Sequence, residues 1–440
     1  FLFFHFYKNM AKQTFRTEKD SIGQIQIPSN AYYGAFTTRA LNNFQISDLK
    51  VPRIFRKCLG LVKLAAAETN LSLGELDNRS GKAIIQAAKE FSEGKFDTDF
   101  RLDVIQAGAG TPYNMNANEI ISNRANVILK GKIGANKPVH PNNHTNKGQS
   151  SNDVIPSTTK IATLLSIPKL EEETKKLAKS LTKKSVKYKS LKKAGRTHLQ
   201  DAVPISYGQI FDSHSKAIER SLKHVIKASE DLYELSLGGT AVGTGITANP
   251  KFKTTTIKNL SNLTGLKLKS CPNLTEGATN FAPFADFSNA LTSLASNLYR
   301  LAMDLKILGS APHTGLSEIK LPAVQPGSSI MPGKVNPSIP EAVEMAFYQI
   351  SGNNETIRLA SSNGQLELNT NCPIIMYNLL QSLEILTNLS ETFRTRCIDG
   401  LTVNKKRVKE LYDGSLCKAT ELVPRLGYDK VAEMVKKGKL

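Results

Sequence analysis

Leucines at 291, 294, 298, 301, 305 and 308 recur in steps of three and four, the spacing that lays one apolar stripe along a helix. So continuous a stripe predicts a helix packed against other helices. Ile375, Leu379, Leu383, Leu386 and Leu389 repeat the pattern and predict a second long helix over 374–389. Residues 158–190 and 208–236 read the same way. Strict alternation of apolar and polar positions, the mark of a half-buried strand, is scarce. Short signals lie at Ile25-Gln26-Ile27 and over 239–246, too little for a large sheet. The pattern predicts a mainly α chain.

Breaks in the pattern divide it. The Gly/Asn/Pro-rich passage Gly131–Gly148 separates a mixed N-terminal region from the long-helix centre, and a second break falls near Gly400. The expected organisation is an N-terminal domain over 10–148, a central helical bundle over 149–400 and a short C-terminal domain over 401–440. Met10-Ala11-Lys12 reads as an ordinary start, so residues 1–9 are set aside as an upstream extension.

Charge changes the picture less than its size suggests. The 440 residues carry 58 Lys and Arg against 38 Asp and Glu, a net +20 that raises the question of nucleic acid. The densest basic run, Lys175–Lys193, spaces its lysines among Leu177, Leu181 and Val186 at helical intervals, with little aromatic interleaving. That is the expected solvated face of an amphipathic helix, so no nucleic-acid partner is expected. Five cysteines at 58, 271, 372, 397 and 417 are scattered, odd in number and without a Cys-x-x-Cys pair, which predicts reduced thiols in a cytoplasmic protein. No apolar stretch approaches the length of a membrane span, and no membrane partner is expected. Neither metal-ligand spacing nor a nucleotide-binding loop is present, so no cofactor and no metal site are expected.

The chemistry concentrates in Gly327-Ser-Ser-Ile-Met-Pro-Gly-Lys-Val-Asn-Pro-Ser-Ile-Pro-Glu341. Gly327 and Gly333 supply hinge points, and Pro326 and Pro332 fix φ beside them. Between them lie the hydroxyls of Ser328 and Ser329, followed by Lys334 and Asn336, which are expected to alternate outward. Two hydroxyls, an ammonium and an amide form a donor set suited to a carboxylate, with Ser328 or Ser329 as a reactive oxygen. Further donors sit at glycine-flanked positions in Ala107-Gly-Ala-Gly-Thr-Pro-Tyr-Asn-Met-Asn-Ala-Asn-Glu119, Gly148-Gln-Ser-Ser-Asn-Asp153 and Gly195-Arg-Thr-His-Leu-Gln-Asp-Ala202. Glu119 and Glu341 read as structural, and Arg39 as a possible carboxylate partner. No Gly-x-Ser-x-Gly elbow accompanies Ser150 and Ser151, which argues against a hydrolase.

These four segments, in this order, together with Tyr32-Tyr-Gly-Ala-Phe-Thr-Thr-Arg39 and Gly238-Gly-Thr-Ala-Val-Gly-Thr-Gly245, resemble the fumarase/aspartase superfamily from about Ile22 to Lys437. Members add or remove a small nucleophile across the double bond of fumarate or a fumaryl compound. The resemblance implies a fumarase/aspartase-like fold with small N- and C-terminal domains. It also implies a homotetramer with a twenty-helix core, active sites shared between subunits and a small dicarboxylate substrate. The chain stops short of the family's usual end, so the C-terminal domain is expected to be shortened.

Carried onto matching positions, the family's roles make Ser328 the base that takes the C3 proton, with Lys334 supporting its ionisation. Thr197, Lys334 and Asn336 would hold the C1 carboxylate, and Thr111, Ser150, Ser151 and Ser329 the reacting one. Asn152 and His198 would face the leaving group. Two activities stay open. His198-Leu-Gln-Asp201, Leu321-Pro-Ala-Val-Gln-Pro326 and Gly364-Gln-Leu-Glu-Leu-Asn369 look more like enzymes that eliminate ammonia from aspartate. Ser361-Ser-Asn-Gly364 looks more like the fumarate hydratases, and Gly238-Gly-Thr240 fits either.

Overall fold

A computed structural model describes residues 14–439; the expectation for residues 1–9 lies outside the described residues. Long helices dominate: Ser151–Lys187, Tyr207–Ala228, Ala282–Leu308, Ser338–Ser362 and Cys372–Phe393. The predicted stripe is real. Leu291, Leu294, Leu298, Leu301 and Leu305 are at most 1% exposed, as are Ile375, Leu379, Leu383 and Leu386 in the second helix. Each such side chain contributes roughly 1.5–3 kcal/mol through removal of apolar surface from water. The described strands form five two-stranded sheets, as the scarcity of alternation predicts.

The helical expectations hold except at ends. The helix expected over 208–236 stops at Ala228 and passes through a single 3-10 turn, Glu230–Tyr233. Glu234–Leu235 then pairs in parallel with Lys269–Ser270. The strand expected over 239–246 is absent. Thr240, Gly243 and Gly245 all adopt left-handed φ (56°, 87° and 71°), which curls the chain into consecutive turns and forbids a pleated strand. The basic run is only partly a solvated face. Lys175 and Lys176 pair with Glu171 and Glu172 on the helix surface, and Leu177 and Leu181 are buried, but Val186 is 71% exposed. Lys184 and Lys193 are buried, the first donating to the carbonyls of Asp399 and Leu401.

The chain forms two compact units. One comprises residues up to Ser166, Ala228–Ser288 and Asn353–Gln381; the other comprises Ile167–Lys227, Asn289–Gly352 and the chain from Ser382 onward. In the first unit the helices Arg53–Ser72, Asn78–Ser92 and Thr111–Ile128 pack together. In the second, the hairpin Lys192–Thr197 and Gln200–Ser206 packs on the helices Lys405–Asp413 and Cys417–Leu426. All five cysteines are buried free thiols. No helix among the described residues is long and apolar enough to cross a membrane.

Candidate active site

In the first unit two helix N-termini bring hydroxyls together. Gly110, with φ at 69°, turns the chain into the helix Thr111–Ile128, and a Cβ at Gly108 would lie 1.8 Å from the Thr370 carbonyl oxygen, so this approach requires glycine. Thr111 Oγ1 lies 2.9 Å from Ser151 Oγ, at the start of the helix Ser151–Lys187. Ser150 and Asp153 close that second N-terminus reciprocally. Ser150 Oγ accepts from the Asn152 N–H at 3.2 Å, and Asp153 Oδ1 accepts from the Ser150 N–H at 3.0 Å. Unsatisfied N–H groups and the helix dipole make such ends favourable to anions. Asn152 donates its side-chain amide to the Ala241 carbonyl at 2.8 Å.

Two charged groups behind these donors are absent from the sequence expectations. Asp153 is buried, and its Oδ2 accepts from the Gly238 and Thr240 N–H groups at 3.0 and 2.9 Å. Burial pushes its carboxyl up to about 6, against the pull of those backbone donors and of the Lys63 charge. Lys63, fully buried, donates to Asn114 Oδ1 (2.6 Å), Gln149 Oε1 (2.9 Å) and Asn146 Oδ1 (3.1 Å). Burial pulls its ammonium down to about 7, with the Asp153 charge opposing. The signals existed in the sequence: a Ser-x-x-Asp capping spacing at 150–153, and a lysine inside the apolar run Leu61–Ala67.

Glu119 is structural, as expected. Its buried carboxylate accepts from the N–H groups of Gly34, Phe36 and Thr37 and from Thr37 Oγ1, which ties down the start of the helix Ala35–Asn43. Arg39 makes a bidentate pair with Asp20 of its own unit at 2.7 and 2.9 Å. That hydrogen-bonded pairing holds the Asp20 carboxyl at about 2.

The second unit carries the other candidates on two protruding segments. Thr197 pairs with Gln200 across the hairpin, leaving His198 and Leu199 as the two turn residues at φ 54° and 61°. A two-residue turn with both φ positive normally uses Asn-Gly, so His-Leu here holds a backbone conformation that costs energy. Thr197 and His198 are exposed, and Leu199 is 69% exposed. The hairpin is anchored below its tip. Glu318, 1% exposed, receives Arg196 at 2.6 Å, the Tyr207 hydroxyl at 2.7 Å and Lys193 at 3.4 Å.

Residues 321–337 form the second segment, a loop without helix or strand that closes on itself. The Gly327 N–H donates to the Lys334 carbonyl at 3.0 Å, and Asn336 donates its side-chain amide to the Gly327 carbonyl at 2.6 Å. Ser328 Oγ accepts from the N–H groups of Ile330 and Met331 at 3.2 and 3.0 Å. Two donors aimed at a hydroxyl oxygen favour its anionic form. Ser329 and Lys334 are exposed. Asn336 corrects the expected outward alternation: it is half-buried, because one of its two amide hydrogens closes the loop.

Thus Thr111, Ser150, Ser151 and Asn152 share one unit, while Thr197, His198, Ser328, Ser329, Lys334 and Asn336 belong to the other. Among the described residues no group of three or more His, Cys, Asp or Glu could hold a metal ion.

Known proteins are similar to this chain along nearly its whole length. The lyase family profile matches residues 23–352. A class II fumarate hydratase of Brucella suis is 43% identical over 422 residues, covering 96% of this chain and 91% of the relative. An aspartate ammonia-lyase of a Bacillus species is 41% identical over 425 residues, covering 97% and 91%. Among solved structures, a class II fumarase from Schistosoma mansoni superposes with a TM-score of 0.93 at 36% identity, covering 96% of this chain and 92% of that one. A fumarate lyase:delta crystallin structure from Brucella melitensis gives the same TM-score at 40% identity, covering 96% and 93%. The chain is a lyase of the fumarase/aspartase superfamily, with that superfamily's helical fold.

Proposed function

We propose that the chain eliminates ammonia from L-aspartate to give fumarate, reversibly, with Ser328 as the base. The observation that carries the elimination chemistry is the Ser328 hydroxyl receiving two backbone N–H groups in a glycine-hinged loop that also bears Lys334. Such a setting lowers the cost of the serine alkoxide that must take the C3 proton.

As the C3–H bond breaks, the proton moves to Ser328 Oγ and its electron pair enters the neighbouring carboxylate, which becomes an aci-carboxylate dianion. Thr111, Ser150, Ser151 and Ser329 supply hydrogen bonds to that developing charge, each worth roughly 3 kcal/mol when preorganised. The pair then returns to form the C2=C3 double bond, and the C2–N bond breaks with its electrons on nitrogen. Asn152 and His198 face the departing ammonia, while Thr197, Lys334 and Asn336 hold the C1 carboxylate. The second set sits on exposed segments, which supports completion of the site by association of copies, as a homotetramer.

Aspartate is favoured by His198-Leu-Gln-Asp201, Leu321–Pro326 and Gly364-Gln-Leu-Glu-Leu-Asn369. Hydration of fumarate to L-malate is the second reading, supported by Ser361-Ser-Asn-Gly364 and by fumarate hydratases among the similar proteins. The test follows fumarate absorbance with purified protein given aspartate in one cuvette and malate in the other. Fumarate from aspartate alone supports the ammonia-lyase, fumarate from malate alone replaces it with the hydratase, and silence in both sinks the two readings together.

A further inference from the structure

We propose that Lys63 is an electrostatic positioning residue for carboxylate binding, its buried ammonium fixing the Asn146–Asn152 segment and lending that segment positive potential. The inference rests on the dicarboxylate-lyase reading above.

Lys63 lies midway along the helix Arg53–Ser72, among Val62, Leu64, Ala65 and Ala66, all buried. An apolar residue would pack there at no electrostatic cost, so a charge in this place needs a use. Its partners are three neutral amide oxygens, those of Asn114, Asn146 and Gln149, at 2.6 to 3.1 Å. Three acceptors require three N–H donors, which the ammonium has and a neutral amine lacks. The charge is therefore part of the design.

Those amides lead to the substrate-facing donors. Asn146 sends its own amide N–H to the Gln149 carbonyl, and its Oδ1 also accepts from Asn114 and Asn118. Gln149 donates to the Thr145 carbonyl, which folds the chain into the turn immediately before Ser150. Asn114 sits one turn into the helix that Thr111 opens. One cation thus sets the amide orientations on both segments that carry the Thr111 and Ser151 hydroxyls. Asp153 offsets it only in part, since that carboxylate also accepts from the N–H groups of Ser150, Gly238 and Thr240 at a helix N-terminus of positive sign. In a water-poor setting, the ammonium, bonded only to neutral amide oxygens, favours a ligand with two negative charges over one with a single charge.

The experiment measures competitive inhibition by succinate, a saturated dianion, and by its monoamide, a monoanion, on the wild type, Lys63→Met, Lys63→Gln and Lys63→Arg. Gln retains an amide N–H donor pair without charge and guards against a Met variant that does not fold; Arg restores the charge. The expected result is that loss of charge weakens succinate about tenfold more than the monoamide, with Arg recovering much of that preference. Equal weakening of both ligands, or no change, would leave Lys63 a purely structural residue and overturn the proposal. So would failure of both uncharged variants to fold while Arg shows no charge preference. A wild type inert toward aspartate and malate alike would instead sink the lyase reading on which the proposal rests.

Discussion

Thr111 Oγ1 and Ser151 Oγ, 40 residues apart in sequence, meet at 2.9 Å where two helices begin. Each hydroxyl has a partner before substrate arrives, so its orientation is set in advance and little ordering is left for binding. Thr111→Val keeps the shape and removes the oxygen. Losing one hydrogen bond to a charged group costs about 1.5–3 kcal/mol, which predicts a fall in kcat/KM of roughly 10- to 100-fold. Far-UV circular dichroism should be unchanged. Kinetics within twofold of wild type would remove Thr111 from the substrate-binding set.

Ser328→Ala is the sharper test. If the serine oxygen takes the proton, kcat should fall by roughly 100- to 10,000-fold while helical content and assembly persist. Lys334→Ala should lower kcat and also raise KM, because the lysine is assigned both to the C1 carboxylate and to the ionisation of Ser328. Steady-state assays on both variants separate the roles. Near-normal turnover in Ser328→Ala would end its assignment as base.

What the sequence disclosed and what it withheld follow from the range of the interactions concerned. The leucine stripe at 291–308 is local, since helical periodicity is written in neighbouring residues, and its burial matches the reading. The donor-rich loop, 327–337 within the run quoted to 341, was equally legible, because glycine, proline and hydroxyl residues in one run leave few structural uses. Asn336 was misread for the opposite reason. Its amide partner, the Gly327 carbonyl, is nine residues away and becomes visible only once the loop closes. Lys63 and Asp153 were passed over because a buried charge resembles a surface charge in sequence. Apart from the Ser150 N–H beside Asp153, their acceptors and donors come from segments 51 to 87 residues distant. The turns at 239–246 read as strand because β-branched Thr240, Val242, Thr244 and Ile246 alternate there, while left-handed backbone at Thr240 leaves no pattern that a non-glycine residue announces.

Loop closure makes its own prediction. A Cβ on Gly327 would stand 2.2 Å from the Lys334 carbonyl oxygen, well inside contact distance, so Gly327→Ala must break the bond that closes the loop bearing Ser328. The damage falls in a largely exposed loop without helix or strand. We expect kcat to fall by at least about tenfold while Tm moves by no more than about 2 °C. A large fall in Tm with activity per folded molecule preserved would assign this glycine to stability.

Acid stability should depend on Glu173, whose side chain is 2% exposed beside Lys169, Lys176 and Arg394. The hydrogen bond from Lys176, assisted by Lys169, holds its carboxyl at about 2 against an ordinary value of 4.5, despite the opposing effect of burial. A carboxyl depressed in the folded state stabilises the fold above its unfolded value. That stability is lost as pH falls from about 4.5 toward 2, where folded and unfolded chains come to bind the same proton. The two lysines are half exposed, so solvent screening reduces the effect to roughly 1–2 kcal/mol. Urea unfolding of wild type and Glu173→Gln should therefore show the wild type more stable at neutral pH, with the gap closing through this window. A gap that persists unchanged to the acid end would mean that Glu173 contributes through packing and hydrogen-bond geometry, and its charge contributes nothing.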